Sequence, residues 1–503
     1  MGFDFSSEER RKLGYRLIDR IDQYFSSLNN RAIQPPEAER AAVHEAQALP
    51  ELGSDATAVL DGLCREMMDK GFHIPSANYF GLMNPTPTYM AVLAEALVSA
   101  LNPQLGSLAR SQFASTLEAE TVGWIASRFG WHTATEAASG DKASQPGTRQ
   151  LTPLRPRALE CGGTFTSGGN EANFTALALA IAHHFPNAIE DGIATIGARP
   201  VFYASEESHH SLEKSAGLLG LGRKSLRRIP VNENLRLDTA RLILQIEADY
   251  GCGFVPFCIV ATAGTTSSGA IDDLNALASI AERYGLWLHV DGAYGAAAAF
   301  SDRYRGVLSG IERADSITID PHKWLSMPFA AGVILTRHPA MLERAFSVDS
   351  PYMPKAERGG MVDNYKVSAQ WSRRMNSLKL WLTLRVHGRQ AYEEMIERQM
   401  ELARGMREWL ESSEEFELAA PQVLPILNFR LRATGEDDAE AAHKRFVEEF
   451  NRDGRYWMSS TRVRGESVLR MMIISYLSTA EHLAGVQEAL QSAARRVALQ
   501  GVS

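Results

Sequence analysis

Between residues 164 and 335, short apolar runs alternate with stretches of helical spacing, and this alternation constrains the fold more than any other feature. Residues 164–167, 201–204, 257–262, 286–290, 317–319 and 332–335 read as strands. Residues 170–184, 211–219 and 273–284 read as helices. Apolar strands alternating with helices predict an α/β fold with a mainly parallel sheet covered on both faces. Ligands of such sheets sit outside the carboxyl ends of the strands. The polar residues that follow each apolar run are therefore the first functional candidates.

The flanks differ. Apolar residues recur at helical spacing over 10–28 and 56–68, with Pro35-Pro36 as a breaker between them. A Pro-rich passage, Asn84-Pro85-Thr86-Pro87, precedes a strongly apolar helix over 89–101. Residues 135–157 shift to Ala, Ser, Gly, Thr, Pro and Gln, which predicts a mobile surface insert. A long helix over 377–412 leads to strands over 425–431 and 467–475 and helices over 438–451 and 480–498. The expected organisation is a helical segment over 1–90, a large domain over 91–378 and a smaller α+β domain over 379–503.

A formal charge of −8 argues against a nucleic-acid footprint. No run of 18 apolar residues predicts a membrane span. The acidic start, Met1-Gly2-Phe3-Asp4-Phe5-Ser6, lacks the apolar stretch of a signal peptide. Its partial fit to a myristoylation pattern is read as an ordinary start. Cys64, Cys161, Cys252 and Cys258 show no CxxC spacing, so reduced thiols and a cytoplasmic setting are expected.

Two strand ends carry the chemistry. Ser316-Ile317-Thr318-Ile319 runs into Asp320-Pro321-His322-Lys323-Trp324, which delivers one amine in an apolar setting that favours burial. Burial lowers a lysine's pKa and makes it a usable nucleophile. Trp287-Leu288-His289-Val290 delivers Asp291, a carboxylate that is costly at the end of a core strand unless paired. A lysine and an aspartate on neighbouring strand ends suggest a pyridoxal phosphate site: the amine forms a Schiff base and the carboxylate keeps the pyridine nitrogen protonated. Ala293 is small enough to admit a flat ring. The bland alternatives are a solvated lysine and an aspartate that caps the next helix.

Thr166-Ser167-Gly168-Gly169-Asn170-Glu171-Ala172-Asn173 joins a strand to a helix, and its glycines let the backbone approach an anion at the helix N-terminus. Gly217, Gly220 and Gly222 are in the wrong order for a dinucleotide fingerprint. Ser208-His209-His210-Ser211 offers an imidazole that can stack on a ring, and no Cys or acid sits at metal-ligand spacing beside it. Ala261-Thr262-Ala263-Gly264-Thr265-Thr266 offers hydroxyls at another strand end, with Asp272 beyond; a plain threonine-rich turn is the alternative.

With these motifs assembled, the chain resembles the group II pyridoxal-phosphate-dependent amino-acid decarboxylases, the aromatic-L-amino-acid, glutamate and diaminobutyrate enzymes. The resemblance runs from about Phe72 to the C-terminus and includes Ser377-Leu378-Lys379 after Arg373-Arg374. It implies an aspartate-aminotransferase-like fold of type I, with a sheet of the seven-stranded type, in an intertwined homodimer. It implies that Lys323 carries the imine and Asp291 holds the pyridinium. His209 would stack on the ring, Thr266 would lie near the cofactor, and Ala293 would back it. Gly168, Gly169 and His322 would surround the phosphate. Tyr352, in Ser350-Pro351-Tyr352-Met353, would reprotonate the substrate carbon. The implied reaction is loss of CO₂ from an L-amino acid, an aromatic one being slightly favoured.

Two departures stand out. Asp320 occupies a position where aromatic decarboxylases carry Asn, which puts an extra carboxylate near the phosphate. Met83-Asn84 precedes Pro85-Thr86 where the aromatic enzymes have aromatic side chains. The alternatives are an aldehyde synthase, a glutamate- or diaminobutyrate-type decarboxylase, an aminotransferase and a cofactor-free scaffold.

Overall fold

The computed structural model describes residues 4–35, 48–133, 160–350, 362–432 and 439–500. Two sheets organise it. The larger has eight strands in the order β1-β2-β8-β7-β6-β5-β3-β4. These are β1 (His132–Thr133), β2 (Glu160–Thr166), β3 (Pro200–Ser205), β4 (Leu226–Ile229), β5 (Val255–Thr262), β6 (Trp287–Asp291), β7 (Ser316–Ile319) and β8 (Gly332–Thr336). β8 runs antiparallel to both of its neighbours, β2 and β7, and the other pairings are parallel. The seven-stranded expectation corresponds to β2 through β8; the two-residue β1 extends the edge. β3, β5, β6, β7 and β8 are buried almost throughout, as strands covered on both faces must be.

Local sequence explains where elements stop. The helix Leu274–Tyr284 starts at Asp273, whose carboxylate accepts from Ala276 N at 3.0 Å. It ends at Gly285 with φ +63°, a left-handed C-cap that turns the chain into β6. The helix Gly169–His184 is apolar over most of its surface, with eleven buried residues, because it packs across β5 to β8 beneath the helix Ser211–Leu218.

The smaller C-terminal domain has four antiparallel strands in the order β11-β12-β10-β9: β9 (Phe416–Leu418), β10 (Ile426–Leu431), β11 (Ser459–Val463) and β12 (Glu466–Met472). The helices Ala439–Asn451 and Ala480–Gln500 cover one face. The helix Ser377–Ser412 links the two layers and bends at Gly388, where φ is +74°. Side chains of the small sheet hold the turn that follows β5: Arg470 Nη1 donates to Thr266 O and Asn428 Nδ2 to Ser267 O, each at 3.0 Å.

Several elements exceed the sequence expectation. The helices Leu108–Arg128, Thr239–Gly251 and Pro339–Phe346 and the strands β4, β9 and β11 were not anticipated. β2 begins four residues earlier than expected, at Glu160. The 135–157 insert falls outside the described residues.

Candidate active site

The register of β5, β6 and β7 sets the site. Thr262 pairs with Asp291 and Asp291 with Thr318, so three strands end in one row. Beyond that row lies a cleft of about 300 Å³. It is lined by Gly168, Gly169, His209, Thr266, Asp291, Ala293, Asp320, His322 and Lys323, which are all the expected cofactor-binding residues. Each follows the carboxyl end of a strand, so five separate segments converge. Tyr352 lies outside the described residues.

Asp291 is 6% exposed. Its Oδ2 accepts from Asn173 Nδ2 at 2.8 Å, and its Oδ1 from Ala293 N at 3.2 Å. Lys323, expected to be buried, is only partly so. Its side chain is 22% exposed, and Nζ lies 3.1 Å from Asp320 Oδ2. The extra carboxylate of Asp320 is thus paired, and the same Oδ2 lies 3.7 Å from His322 Nε2. Burial lowers the His322 pKa, and the nearby Asp320 opposes that shift. His322 Nδ1 meets Ala331 O at 2.7 Å, and its ring packs on Phe329 at 4.6 Å.

Gly168 has φ +148°, a conformation open to glycine, and it caps the helix Gly169–His184. Glu171 N and Ala172 N donate to Gly168 O at 3.0 and 3.1 Å, and the N–H groups of Gly169 and Asn170 have no partner within the helix. Glu171 reaches back to Ser167 N and Oγ at 2.8 and 2.7 Å and holds the turn. A Cβ on Gly169 would come 2.7 Å from Asp320 Oδ2, and one on Gly332 would come 2.6 Å from Gly168 Cα. Larger residues would fill the cradle. On the opposite wall, Ser211 N donates to His209 Nδ1 at 3.1 Å, which leaves Nε2 as the protonated nitrogen of the neutral ring. Partial enclosure of that ring lowers its pKa, and Asp291 opposes the shift.

These residues fit pyridoxal phosphate: an amine, a facing carboxylate, a glycine cradle at a helix N-terminus, and buried oxygens with no partner among the described residues, Thr262 Oγ1 and Asp320 Oδ1. The model of the pyridoxal-dependent decarboxylase conserved domain matches residues 36–432. The chain belongs to the pyridoxal-dependent decarboxylase family. It is a pyridoxal-phosphate-dependent amino-acid decarboxylase of fold type I. An aromatic-L-amino-acid decarboxylase of Bacillus atrophaeus is 29% identical over 500 residues, covering 98% of this chain and 97% of the relative. An L-2,4-diaminobutyrate decarboxylase of Acinetobacter baumannii is 29% identical over 425 residues, covering 81% and 78%. The crystal structure of Catharanthus roseus tryptophan decarboxylase in complex with L-tryptophan superposes with a TM-score of 0.83 at 25% identity, covering 98% of this chain and all of that one.

Sequence reasoning missed Phe329 and the role of Asn173 in this decarboxylase site, and it named Met83 and Thr262 only as a departure from the aromatic enzymes and as one of several strand-end hydroxyls. Met83 and Phe329 wall the cleft, Thr262 floors it, and Asn173 binds Asp291. Asn173 left a signal: it is a polar residue on a helix otherwise apolar at its level, and it is 1% exposed. Asp272 turns away instead, its carboxylate accepting from Leu237 N at 2.7 Å and Thr262 N at 2.8 Å. Lys379 supports the segment after Lys323. Its buried Nζ donates to Ala330 O at 2.8 Å and Pro328 O at 3.2 Å and pairs with Glu95 at 2.7 Å.

Proposed function

We propose that this decarboxylase converts an aromatic L-amino acid to its amine, as a cytoplasmic homodimer. One observation carries the catalytic reading: Lys323 and Asp291 stand on the ends of adjacent strands and line one cleft with a glycine cradle. Bound pyridoxal phosphate supplies the electron sink for the bond to the carboxylate. Lys323 is the amine that would hold the cofactor through its aldehyde. Asp291 keeps the ring nitrogen protonated, an effect that belongs to the transition state and so to kcat. Gly168, Gly169 and the helix N-terminus take the phosphate, and His322 closes that side. His209 covers the ring, Ala293 backs it, and Thr262 and Thr266 supply hydroxyls. Tyr352 serves as the acid that delivers a proton to the substrate carbon.

The aromatic preference is supported by the Bacillus relative's activity and by the apolar Phe329 at the cleft, while Met83, which stands where the aromatic enzymes carry an aromatic side chain, still keeps its wall apolar. The homodimer is supported by the N-terminal helix Ser7–Ser27, which buries no residue in its own protomer. Tyr15, Leu17, Val59, Met67 and Leu101 likewise stay exposed. Phe329, at the cleft, is 60% exposed. Among the described residues no helix is long and apolar enough to cross a membrane.

A panel of L-amino acids scored for CO₂ release tests the reading. Aromatic substrates are expected to react fastest, with amine formed in step with CO₂. A preference for acidic or diamino substrates overturns the substrate class. Hydrogen peroxide and ammonia with aldehyde overturn the product. Light scattering at the mass of one chain overturns the dimer.

A further inference from the structure

Trp287, His289 and Asp291 alternate along β6, so they project to one face of the sheet. Ser316 and Thr318 project to the same face from β7, and Asn173 descends onto it from the helix Gly169–His184. All six side chains are at least nine-tenths buried. Their hydrogen bonds form one chain. Trp287 Nε1 lies 2.9 Å from Ser316 Oγ, and Ser316 Oγ lies 2.9 Å from His289 Nδ1. His289 Nε2 lies 3.1 Å from Asn173 Oδ1, and Asn173 Nδ2 lies 2.8 Å from Asp291 Oδ2.

The chain has one consistent direction. An indole N–H only donates, so Ser316 Oγ accepts from Trp287 and keeps its single proton for His289 Nδ1, which also lies 3.2 Å from the Ser316 backbone oxygen. The carboxylate of Asp291 fixes the other end, since it only accepts and so holds Asn173 Oδ1 toward Nε2. The neutral imidazole then carries its proton on Nε2 and donates to Asn173 Oδ1. That acceptance, with a second from Thr318 Oγ1 at 3.0 Å, turns the amide so that Nδ2 faces Asp291. The second amide proton goes to Ser211 Oγ at 3.0 Å, which saturates Asn173. The reverse order would set either the Nε2 lone pair against Asn173 Oδ1 or, with the amide turned over, the amide oxygen against the carboxylate. Buried relays of this kind hold their members in one arrangement because every alternative leaves an unpaired polar group.

We propose that Asn173 is the positioning residue of Asp291, and that the donor-only indole of Trp287 sets its orientation through Ser316 and His289. This rests on the reading of Asp291 as the partner of the ring nitrogen. Asn173 fixes the plane of the carboxylate and leaves Oδ1 directed by Ala293 N. Trp287, four residues back on the same strand, thereby acts on the cleft without touching it.

Two measurements test it, and the first needs no turnover. In cofactor-free protein labelled with ¹⁵N-histidine, with the His289 signal assigned by its loss in His289→Gln, the Nε2–H tautomer is expected. Ser316→Ala and Trp287→Phe are expected to bring up the Nδ1–H form. Wild-type protein in the Nδ1–H form, or a tautomer untouched by both variants, overturns the relay whatever reaction the enzyme performs. The second is kinetic. Outer-shell partners of metal ligands contribute roughly 10–100-fold, and the same scale is expected for a carboxylate held by one amide. Asn173→Leu is expected to lower kcat by about that factor with KM within about threefold, and with a shifted pH profile. His289→Gln, which keeps an N–H near the place of Nε2, is expected to recover most of the activity lost in His289→Leu. Full kcat in Asn173→Leu, or equal loss in both His289 variants, overturns the positioning role.

Discussion

Asp291 and Lys323 face the same cleft from adjacent strand ends, but their surroundings differ. Asp291 is 6% exposed and held through both oxygens by Asn173 and Ala293. Behind it, the buried hydrogen bonds of Asn173, His289 and Ser316 are satisfied. Lys323 is 22% exposed at its side chain and pairs with Asp320, whose Oδ1 has no partner among the described residues. The contrast follows from the two tasks. A carboxylate that must keep its charge and aim gains from rigid, saturated neighbours. An amine that must exchange one partner for another is better served by an ion pair that can be given up, and by room to move.

The largest test of this contrast compares the two groups directly. Lys323→Ala and Asp291→Asn are each expected to lower kcat by at least the roughly 10²–10⁴-fold of a positioned proton-transfer group. Only Lys323→Ala is expected to abolish the covalent cofactor band in the absorption spectrum. Full turnover in Asp291→Asn would dissolve the comparison.

Next comes acid stability. Burial holds the His289 pKa at about 4, against 6.5 for a free imidazole. Below pH 6.5 the unfolded chain takes up a proton that the folded chain refuses until about 4. Stability conferred by the neutral ring is therefore complete above 6.5 and falls as pH drops toward 4, by on the order of 3 kcal/mol. His184, also lowered to about 4 chiefly by burial, acts in the same direction. Urea midpoints taken between pH 7 and 5 are expected to fall less steeply in His289→Gln. An equal slope would show that the Asp291 end is not dry.

Gly332→Ala probes the cradle on the Lys323 side. Its Cβ would lie 2.6 Å from Gly168 Cα and Thr166 Oγ1. Overpacking of this kind costs about 1–3 kcal/mol. A lower melting temperature and weaker cofactor binding are expected, and a variant unchanged in both would mean that this end yields freely. The smallest effect is expected from Asp320→Asn. Removing a carboxylate beside the phosphate cradle is expected to tighten cofactor binding about tenfold, or about 1.4 kcal/mol, as read by tryptophan quenching. Weaker binding would assign Asp320 to holding Lys323 ready for the cofactor.

Lys323, Asp291 and the Gly168-Gly169 turn were legible because each ends an apolar strand with a residue that such a strand would not otherwise tolerate. The central strands were legible for the same reason: burial on both faces demands unbroken apolar runs. β4, with Arg227 and Arg228, and β11, with Arg462, were not, because edge strands carry charge and hide their periodicity. The Thr262–Thr266 run announced a hydroxyl, but which threonine stands beside Asp291 depends on the pairing of β5 with β6. Phe329 read as an ordinary apolar residue, and nothing local ties it to the cleft; Met83 entered only through the resemblance, as a departure from the aromatic enzymes.

By itself the sequence determined the alternating architecture, the strand ends that bear the lysine and the aspartate, and the chemistry those two groups share. These depend on short-range patterns of burial and turn formation, which neighbouring residues encode. Only the tertiary structure decided what surrounds each group. Asn173 meets Asp291 across 118 positions of chain, and Thr318 meets Asn173 across 145. Such partnerships arise from helix-on-sheet packing and strand register, and no local stretch of sequence contains them.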